Sequence, residues 1–382
     1  MRIAAFNVEN LFDRAKVFND VEPGTDNPHQ DIIDAHAELS GLFEKTTYTA
    51  ARKARMLALM DALGILHANE SKFVQLRRIR GKIIRRPRDR SVPSEIVASG
   101  RDDWIGWVEL KTEPVDEIAM ELTARVLFDC QADVIGVVEA ENRVVLKNFQ
   151  EQMSTKFGVA ERYKNVMLID GNDRRGIDVA LGTTAEFPIG WMRSHVNEEK
   201  DGKQVFSRDC PEFEVTTPSG KTVIILVNHF KSKFGGNDAR SRQKRKNQSE
   251  AVASYYTRLL DEGYENVAVI GELNDTPDSD PLSPLMATSL RDVSQSDKFT
   301  DFEFLADNGH TGIGTHKLGN DNLKIDYLKL SPALISKVTY AGLFRKGAWP
   351  GKQPPRWEVY PDLTKEHHAA SDHHLIFADI DI

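Results

Sequence analysis

Short apolar runs separated by polar residues recur along nearly the whole chain, and most of them have the length of a β-strand. Their enrichment in β-branched residues predicts strands at residues 3–8, 133–138, 166–169, 177–181, 213–216, 222–229, 267–271, 324–330 and 374–380. Longer stretches with one apolar side predict helices at residues 50–66, 116–131, 143–156 and 238–260. Strands interspersed with helices in this way predict an α+β fold, with sheets inside and helices outside.

The interval from about residue 23 to residue 111 differs from the rest of the chain, because its first half is polar and its second half is strongly basic. Pro87, Pro93 and Gly100 interrupt it, which predicts hairpins or loops rather than one long helix. We therefore interpret it as an insertion that decorates one edge of a single domain spanning residues 1–382.

The composition of the chain excludes several classes of protein. With 382 residues, 40% of them hydrophobic, and a formal net charge of −8, the chain can bury a sizeable core and is not disordered. The longest fully apolar run, residues 223–227, is far shorter than a membrane span, and the N-terminus lacks the form of a signal peptide. Cys130 and Cys210 have no metal-ligand spacing, which argues against a disulfide scaffold and a thiolate zinc site. We expect a soluble, cytoplasmic protein.

Positive charge is concentrated in one short segment, residues 77–90. It holds eight basic residues and a single acid, Asp89, on a chain that is acidic as a whole. One interpretation is a solvated hairpin whose charges pair with acids elsewhere. The scarcity of acids within the segment, and its preference for arginine, whose guanidinium binds phosphate through two parallel hydrogen bonds, favour a basic arm that binds nucleic acid, above all DNA. Three arginines of this arm are the candidate phosphate contacts: Arg85, Arg86 and Arg88.

Polar side chains follow several of the predicted strands at the point where each strand ends. Asn7, Glu139, Glu272 and Asn274 occupy such positions. Any one of them alone is interpreted as a turn or cap residue. The repetition changes the interpretation, because these strands end in carboxylate, amide or imidazole groups and none ends in a thiol. Carboxylate and amide oxygens are the ligands of a hard cation such as Mg²⁺, which keeps several waters that a phosphate can replace.

Two histidines lie where they can move protons. Asp326 interrupts an apolar strand, and Asp372 and His373 directly precede the last strand. A buried aspartate beside a histidine orients the imidazole and stabilises its cationic form when it takes a proton from water. His229, at the end of the strongest predicted strand, supplies a second imidazole.

These residues belong to a series of short motifs that resembles the endonuclease/exonuclease/phosphatase superfamily, in particular a bacterial branch that begins with FNVENLFD. The resemblance covers residues 1–12 and about 117–382. It implies a DNase I-like fold, a four-layer α/β sandwich in which two packed mixed β-sheets are flanked by helices and the active site lies at one edge. The motifs are, in chain order, Phe6-Asn7-Val8-Glu9-Asn10, Val137-Val138-Glu139, Arg175-Gly176-Ile177-Asp178-Val179-Ala180, Val227-Asn228-His229, Gly271-Glu272-Leu273-Asn274-Asp275, Ile325-Asp326-Tyr327 and Ser371-Asp372-His373.

The resemblance also implies a site for Mg²⁺, with Mn²⁺ as a substitute. Asn7 and Glu139 are similar to the amide and the carboxylate that hold the metal in the family, with Asp372 close by. Glu9 occupies a position where some relatives have a further acid, so the resemblance implies that it contributes to the same site.

The catalytic roles follow from the same resemblance. His373 is similar to the general base of the family, and Asp326 to the carboxylate that holds its ring. His229 resembles the imidazole that stabilises the phosphoryl oxygens or protonates the leaving oxygen, and Asn274 the amide that holds the phosphate or the attacking water. Arg175, just before the strand at residues 177–181, is interpreted either as a phosphate contact or as a surface arginine.

One position departs from the family pattern, which has an aspartate where this chain has Glu272. Glutamate is longer by one methylene, which moves the carboxylate by more than about 1 Å unless the strand retreats. A misplacement of that size can cost on the order of a hundredfold in rate. The catalytic role of Glu272, and full activity with it, therefore depend on how the strand accommodates the longer side chain.

Three functions are compatible with these residues. The first is a Mg²⁺-dependent nuclease that cleaves DNA, which the basic arm favours. The second is a phosphatase or phosphodiesterase that acts on a small-molecule or lipid phosphate. The third is a non-catalytic nucleic-acid-binding module whose site is weakened by Glu272. The core motifs act on the phosphate alone and do not distinguish among these substrates.

Overall fold

The computed structural model of the chain describes residues 1–9, 11, 13–19, 29–89, 91–173, 176–233, 238–302, 312–351 and 355–382. The chain divides into two compact units. The first unit comprises Met1–Phe12, Val115–Ser232 and Asp238–Ile382, and the second comprises Asp13–Pro114 and Lys233–Asn237. The interval that we predict as an insertion, residues 23–111, lies within the bounds of the second unit.

The strands of both units are numbered together in chain order. Each strand predicted from the sequence is present, with its ends moved by two residues or fewer. The strands are β1 (Arg2–Asn7), β2 (Asp13–Ala15), β3 (Val74–Gly81), β4 (Ile84–Arg85), β5 (Glu95–Ile96), β6 (Trp104–Leu110), β7 (Thr112–Pro114), β8 (Val134–Ala140), β9 (Asn165–Leu168), β10 (Asp178–Thr183), β11 (Ile189–Arg193), β12 (Glu199–Lys200), β13 (Lys203–Gln204), β14 (Glu212–Thr216), β15 (Thr222–His229), β16 (Val267–Glu272), β17 (Arg291–Asp292), β18 (Phe299–Phe302), β19 (Asp326–Leu330), β20 (Val338–Phe344) and β21 (Leu375–Ile380).

The helices include every one predicted from the sequence, as α3 to α6. Side-chain caps begin all four of these: Thr49, Asp116, Asn142 and Asp238 each accept a hydrogen bond from a backbone N–H of the first turn. Among the described residues, no helix is long and apolar enough to cross a membrane. The helices are α1 (Lys16–Asn19), α2 (Gln30–Phe43), α3 (Ala50–Ala62), α4 (Glu117–Asp129), α5 (Arg143–Phe157), α6 (Ala239–Asp261), α7 (Ser283–Met286) and α8 (Pro332–Ile335).

Two large mixed sheets form the centre of the first unit. The first sheet has seven strands in the order β18-β20-β21-β1-β8-β10-β9, and the second has six in the order β11-β14-β15-β16-β19-β17. Because side chains alternate between the faces of a strand, Ile3 and Ala5 of β1 point to the same side. Both pack in one core with Val227 of β15 and Ile270 of β16, so the two sheets lie face to face.

Helices cover the outer faces of these sheets. Leu122 of α4 and Phe149 of α5 belong to the same core cluster as Phe6, whose side chain is on the outer face of the first sheet. Tyr256 of α6 packs with Val269 on the outer face of the second sheet. The resulting order of layers, helix, sheet, sheet and helix, confirms the four-layer sandwich and the α+β class that we predicted.

The second unit has a hydrophobic core of its own. Leu39 of α2 and Met60 of α3 share that core with Trp104, whose indole N–H donates to the Tyr48 hydroxyl at 2.9 Å. β3 and β6 pair antiparallel, as do β4 and β5, so the basic half of the interval contains paired strands rather than one helix. The description of the chain as one domain with an insertion stays a prediction.

Candidate active site

The ends of three neighbouring strands in the second sheet bring three predicted site residues side by side. β15 and β16 run parallel with His229 opposite Glu272, and β16 and β19 run antiparallel with Glu272 opposite Asp326. All three side chains are buried. The strand register alone therefore puts an imidazole and two carboxylates together at one edge of the sheet.

Gly271 is what allows this register. Its φ of +111° lies in the region that favours glycine, and a Cβ atom there would lie 2.2 Å from the carbonyl oxygen of Asn228. Because Asn228 is its partner across β15 and β16, any side chain at position 271 would force the two strands apart. His229 and Glu272, the next pair along, would separate with them.

In the first sheet, a bulge redirects Glu139. The register between β8 and β10 shifts at this point, with Val138 opposite Val179 and Ala140 opposite Asp178. Glu139 lies between the two pairs and has a φ of 67°. A bulge of this kind takes a side chain out of the regular alternation, so Glu139 is aimed independently of its neighbours in the strand.

Positive φ recurs at the predicted site. Glu9, Glu139 and Asn274 have φ values of 50°, 67° and 56°. Residues other than glycine rarely adopt a positive φ, and this backbone conformation costs on the order of 1–3 kcal/mol for each residue. Such strain persists only where the surrounding structure enforces it, and strained residues cluster at functional sites, which supports the interpretation of this edge as a site.

The two sheets present their polar groups to one another. Asn7 Nδ2 donates to Glu272 Oε2 at 2.8 Å. His229 Nε2 lies 3.3 Å from the same oxygen and 3.7 Å from Glu139 Oε1. Two residues of the first sheet and two of the second therefore form one cluster.

His373 is held next to this cluster by Asp326. Its Nδ1 lies 2.8 Å from Asp326 Oδ2, and the same oxygen accepts a hydrogen bond from Thr315 Oγ1 at 2.7 Å. Burial opposes a charged ring, but the negative charges of Asp326, Glu272 and Asp372 outweigh it and raise the pKa of His373 well above its ordinary value. The ring is therefore fixed in orientation and surrounded by carboxylates.

Crowded carboxylates make this cluster suitable for a cation. Burial raises the pKa of Glu272; His373 opposes the shift, while Asp326 and Glu139 add to it. One donor atom from each of Glu139, His229 and Glu272 lies within 4.8 Å of the others, and the same holds for Glu272, Asp326 and His373. A divalent cation among these donors would relieve the repulsion between the acids. The residues present can therefore hold a divalent metal ion.

Glu9 and Asp372, the other acids predicted for the metal site, meet at the same edge. The backbone N–H of Asp372 donates to Glu9 Oε2 at 3.0 Å, and the N–H of Glu9 donates to Asn7 Oδ1 at 2.8 Å. Asp372 Oδ1 also lies 3.6 Å from His373 Nε2. Glu9 thus connects the amide of Asn7 to the segment that carries Asp372 and His373.

Asn274 is oriented by a carbonyl group that it shares with an arginine. Asn274 Nδ2 and Arg208 Nη2 both donate to the carbonyl oxygen of Phe230, at 3.1 Å and 2.9 Å. Arg208 is buried and forms an ion pair with Asp173 at 3.2 Å. Its guanidinium brings positive charge to the neighbourhood of Asn274, which suits an anionic substrate.

The arginines that we predict as substrate contacts are not among the described residues of the first unit, which carries the cluster. Arg175 lies outside the described residues, and Arg85, Arg86 and Arg88 belong to the second unit. Arg85 pairs with Glu95 at 2.6 Å. Arg86 donates to the carbonyl oxygens of residues 65, 66 and 68 and to the side chain of Asn69, and burial lowers its pKa. Within this unit, Arg86 anchors a loop, whereas Arg88 is exposed.

Three residues at this site were not predicted from the sequence: Thr315, His316 and Arg208. Thr315 and His316 lie in a polar segment that contains several glycines and none of the motifs, so the pattern carries no signal for them. Arg208 precedes a strand within a turn, where an arginine is ordinarily interpreted as a surface residue. Only the contacts with Asp326, Asp372 and the Phe230 carbonyl reveal them.

Several solved structures are similar to this one in fold. A mannosyl-6-phosphatase of Bacteroides thetaiotaomicron is 12% identical, with 69% of this chain and 90% of that chain covered and a TM-score of 0.48. The human Nocturnin catalytic domain with a bound sulfate anion is 13% identical, with 70% and 88% covered and a TM-score of 0.49. Truncated TDP2 of Caenorhabditis elegans is 16% identical, with 68% and 90% covered and a TM-score of 0.44.

A match to a family model covers more than half of the chain. Residues 91–349 match the model described as Endonuclease/Exonuclease/phosphatase family. The matched range includes Glu139, His229, Glu272 and Asp326. Among curated proteins, none matches the chain.

Proposed function

The chain belongs to the endonuclease/exonuclease/phosphatase family, and from that premise we propose that it is a Mg²⁺-dependent phosphodiester hydrolase that cleaves DNA. As a member of this family it is a hydrolase of phosphoric ester bonds. The observation that carries the finer proposal is the convergence of His373, held 2.8 Å from Asp326, with the carboxylates of Glu139 and Glu272 at one edge of two sheets.

Hydrolysis of a phosphodiester requires a base that takes a proton from water, and His373 has this role in the proposal. Its Nδ1 is tied to Asp326, which leaves Nε2 to accept the proton. The carboxylates of Asp326, Glu272 and Asp372 stabilise the imidazolium that results. General base catalysis of this kind is worth roughly a hundred- to ten-thousandfold in rate.

We assign the metal to the part of the cluster that the first sheet contributes, around Glu139 and Asn7. Glu139 and Asn7 would hold Mg²⁺, with Asp372 and Glu9 nearby, and Mn²⁺ would substitute because it also prefers oxygen ligands. When bound, the cation supplies positive charge that neutralises the phosphate oxygens and favours the neutral form of His373.

The remaining groups act on the phosphate itself. His229 and Asn274 donate to the phosphoryl oxygens, or to the leaving oxygen, as negative charge develops there. Glu272 holds Asn7 through the hydrogen bond of 2.8 Å and lies beside His229. It therefore positions one residue assigned to the metal, Asn7, and one assigned to the phosphate, His229. Arg175, next to Gly176, stays a candidate contact for the substrate phosphate.

The basic arm at residues 77–90 supports DNA as the substrate. Arg78, Arg80, Lys82 and Arg88 are exposed, and only Asp89 opposes them within the arm. Contacts from such side chains to phosphates add affinity without base specificity, which suits an enzyme that cleaves the backbone.

A small-molecule or lipid phosphate is the second candidate substrate, and the ion pairs of the arm favour it. Arg77 pairs with Glu109 at 2.5 Å and Arg85 pairs with Glu95 at 2.6 Å. Each pair lowers the positive charge that a nucleic acid backbone would meet.

The test is incubation of the purified protein with plasmid DNA, linear DNA, RNA and bis(p-nitrophenyl) phosphate, each with Mg²⁺, Mn²⁺ or excess chelator. We expect DNA cleavage with either metal and none with chelator. Glu139→Gln is the matched control, because it keeps the size of the side chain and removes the charge; it should lose metal-dependent cleavage and keep the melting temperature.

Each other outcome points to a different function. Hydrolysis of the small ester without cleavage of nucleic acid would favour a small-molecule or lipid substrate. Absence of turnover with any metal would favour the non-catalytic binding module. Turnover that persists in excess chelator would contradict the proposed dependence on a metal ion.

A further inference from the structure

A short antiparallel bridge joins residues 315–317 to residues 372–374. The N–H of His374 donates to the carbonyl of Thr315 at 2.8 Å, and the N–H of Lys317 donates to the carbonyl of Asp372 at 2.6 Å. His316 and His373 are direct partners across this bridge, and their ring centroids are 4.7 Å apart. The backbone around Asp372 and His373 is therefore held by a segment that contains no motif residue.

Two consecutive residues of this segment contact the two acids that flank His373. Thr315 Oγ1 donates to Asp326 Oδ2 at 2.7 Å. His316 Nε2 lies 3.0 Å from Asp372 Oδ2. Because an ionised carboxylate only accepts hydrogen bonds, the proton of this contact is on His316 Nε2.

Asp372 needs such a partner. Its backbone is fixed by Glu9 and Lys317, but its side chain is 39% exposed and lies at the margin of the buried cluster. The contact with His316 engages Oδ2, while Oδ1 lies 3.6 Å from His373 Nε2. Without the imidazole, rotation about the Cα–Cβ bond would carry the carboxylate toward solvent and away from the site.

We propose that His316 is a positioning residue, which holds the Asp372 carboxylate toward His373 and the metal-binding acids. This inference rests on the proposed function, since it gives His316 a role only through Asp372. Partners in the second layer around a metal site typically change metal affinity or activity by about 10- to 100-fold when they are removed. His316 acts here by its N–H and not by contact with the substrate.

The experiment compares two substitutions that separate the N–H from the ring. His316→Gln keeps a donor at a similar reach and removes the ring, whereas His316→Phe keeps a ring against His373 and removes the donor. His316→Ala removes both, and His67→Phe, at an exposed histidine of the second unit, is the unrelated control. The readouts are turnover of bis(p-nitrophenyl) phosphate as a function of Mg²⁺, direct binding of Mn²⁺ by electron paramagnetic resonance, and melting temperature.

We expect Phe and Ala to weaken Mn²⁺ binding and to raise the Mg²⁺ concentration for half-maximal rate by about tenfold or more. Gln should recover most of both properties, and melting temperatures should stay close to that of the parent. Recovery by Phe but not by Gln would show that His316 acts by packing, and would overturn the proposal. Equal Mn²⁺ binding by the parent protein and all three His316 variants would overturn it as well. Failure of the proposed function is a separate result, because it shows as absence of turnover in the parent protein, while Mn²⁺ binding still tests His316.

Discussion

Replacement of Glu272 by aspartate tests whether the departure of this chain from its family is built into the site. In the structure the glutamate reaches across from the second sheet to the first: its Oε2 accepts from Asn7 Nδ2 at 2.8 Å and lies 3.3 Å from His229 Nε2. The extra methylene therefore has a use, because it spans the distance to Asn7. The family's own residue at this position should, in this chain, be too short.

The size of the effect follows from the distances. Loss of one methylene retracts the carboxylate by about 1.3 Å, which lengthens the contact with Asn7 to about 4 Å, outside hydrogen-bond range. The buried amide of Asn7 then loses a partner, at a cost of about 1–3 kcal/mol. Because Asn7 is also a predicted metal ligand, we expect the rate to fall by on the order of a hundredfold, as for other misplacements of about 1 Å.

The assay is the rate of bis(p-nitrophenyl) phosphate hydrolysis with saturating Mg²⁺, together with the melting temperature. Glu272→Gln is the matched control, because it keeps the length and an acceptor oxygen while it removes the charge. We expect it to keep the contact with Asn7 and so to resemble the parent in stability, while its rate reports the contribution of the charge. An aspartate variant as fast as the parent would refute the reasoning, since it would mean that the strand moves to restore the family geometry.

Three further predictions concern other parts of the molecule. Asp326→Asn and His373→Ala should each lower kcat by roughly a hundred- to ten-thousandfold with little change in KM. Because Asp326 acts through His373, the double variant should be no slower than the slower single variant. A loss of kcat in the double variant equal to the product of the two single losses would contradict the partnership. Arg85→Ala combined with Arg88→Ala should flatten the dependence of log DNA affinity on log salt by about 0.9 for each phosphate that the arm no longer neutralises, without change in small-ester hydrolysis, and an unchanged salt slope would remove the arm from the DNA interface. Arg86→Ala should instead lower the melting temperature, because the Arg86 guanidinium holds the loop at residues 65–69. Burial raises the pKa of Asp178 to about 6, above its value of 3.8 in the absence of that environment, so the folded protein binds this proton more tightly and loses up to about 3 kcal/mol of stability as the pH rises between these values. Asp178→Asn, which keeps an acceptor for the N–H of Gly171, should therefore raise the melting temperature near about pH 8 and have little effect near about pH 4, and an equal effect at both would contradict the assignment.

Much of the regular structure could be predicted from the sequence, because its signals are local. β15 and β16 are apolar on both faces, and a strand buried between two layers needs that composition whatever its neighbours are. Asn142 and Asp238 start helices through hydrogen bonds to N–H groups only three residues away. The helix α2 was missed because its buried residues, among them Leu39 and Phe43, are separated by polar ones in an interval that we interpreted as loops.

The residue types of the site were also visible in the sequence, and the family pattern supplied their expected roles. Amides, carboxylates and imidazoles at strand ends are a property of composition and position. Their mutual contacts are not, since Asn7 and Glu272 are 265 positions apart and meet at 2.8 Å only because two sheets pack face to face. The sequence alone therefore predicted a metal-dependent hydrolase and left the geometry of Glu272 open.

Tertiary structure decided which of these groups touch and which additional residues hold them. Gly271 brings β15 and β16 close enough for His229 to meet Glu272, and the bulge at Glu139 turns that carboxylate toward them. Arg86 and Arg88 are the same residue type in the same basic arm, yet one is occupied by backbone carbonyls and the other is exposed. A local pattern records what a side chain can do, whereas the partner it finds depends on segments that are distant in the chain and are brought together only by the packing of the sheets and helices.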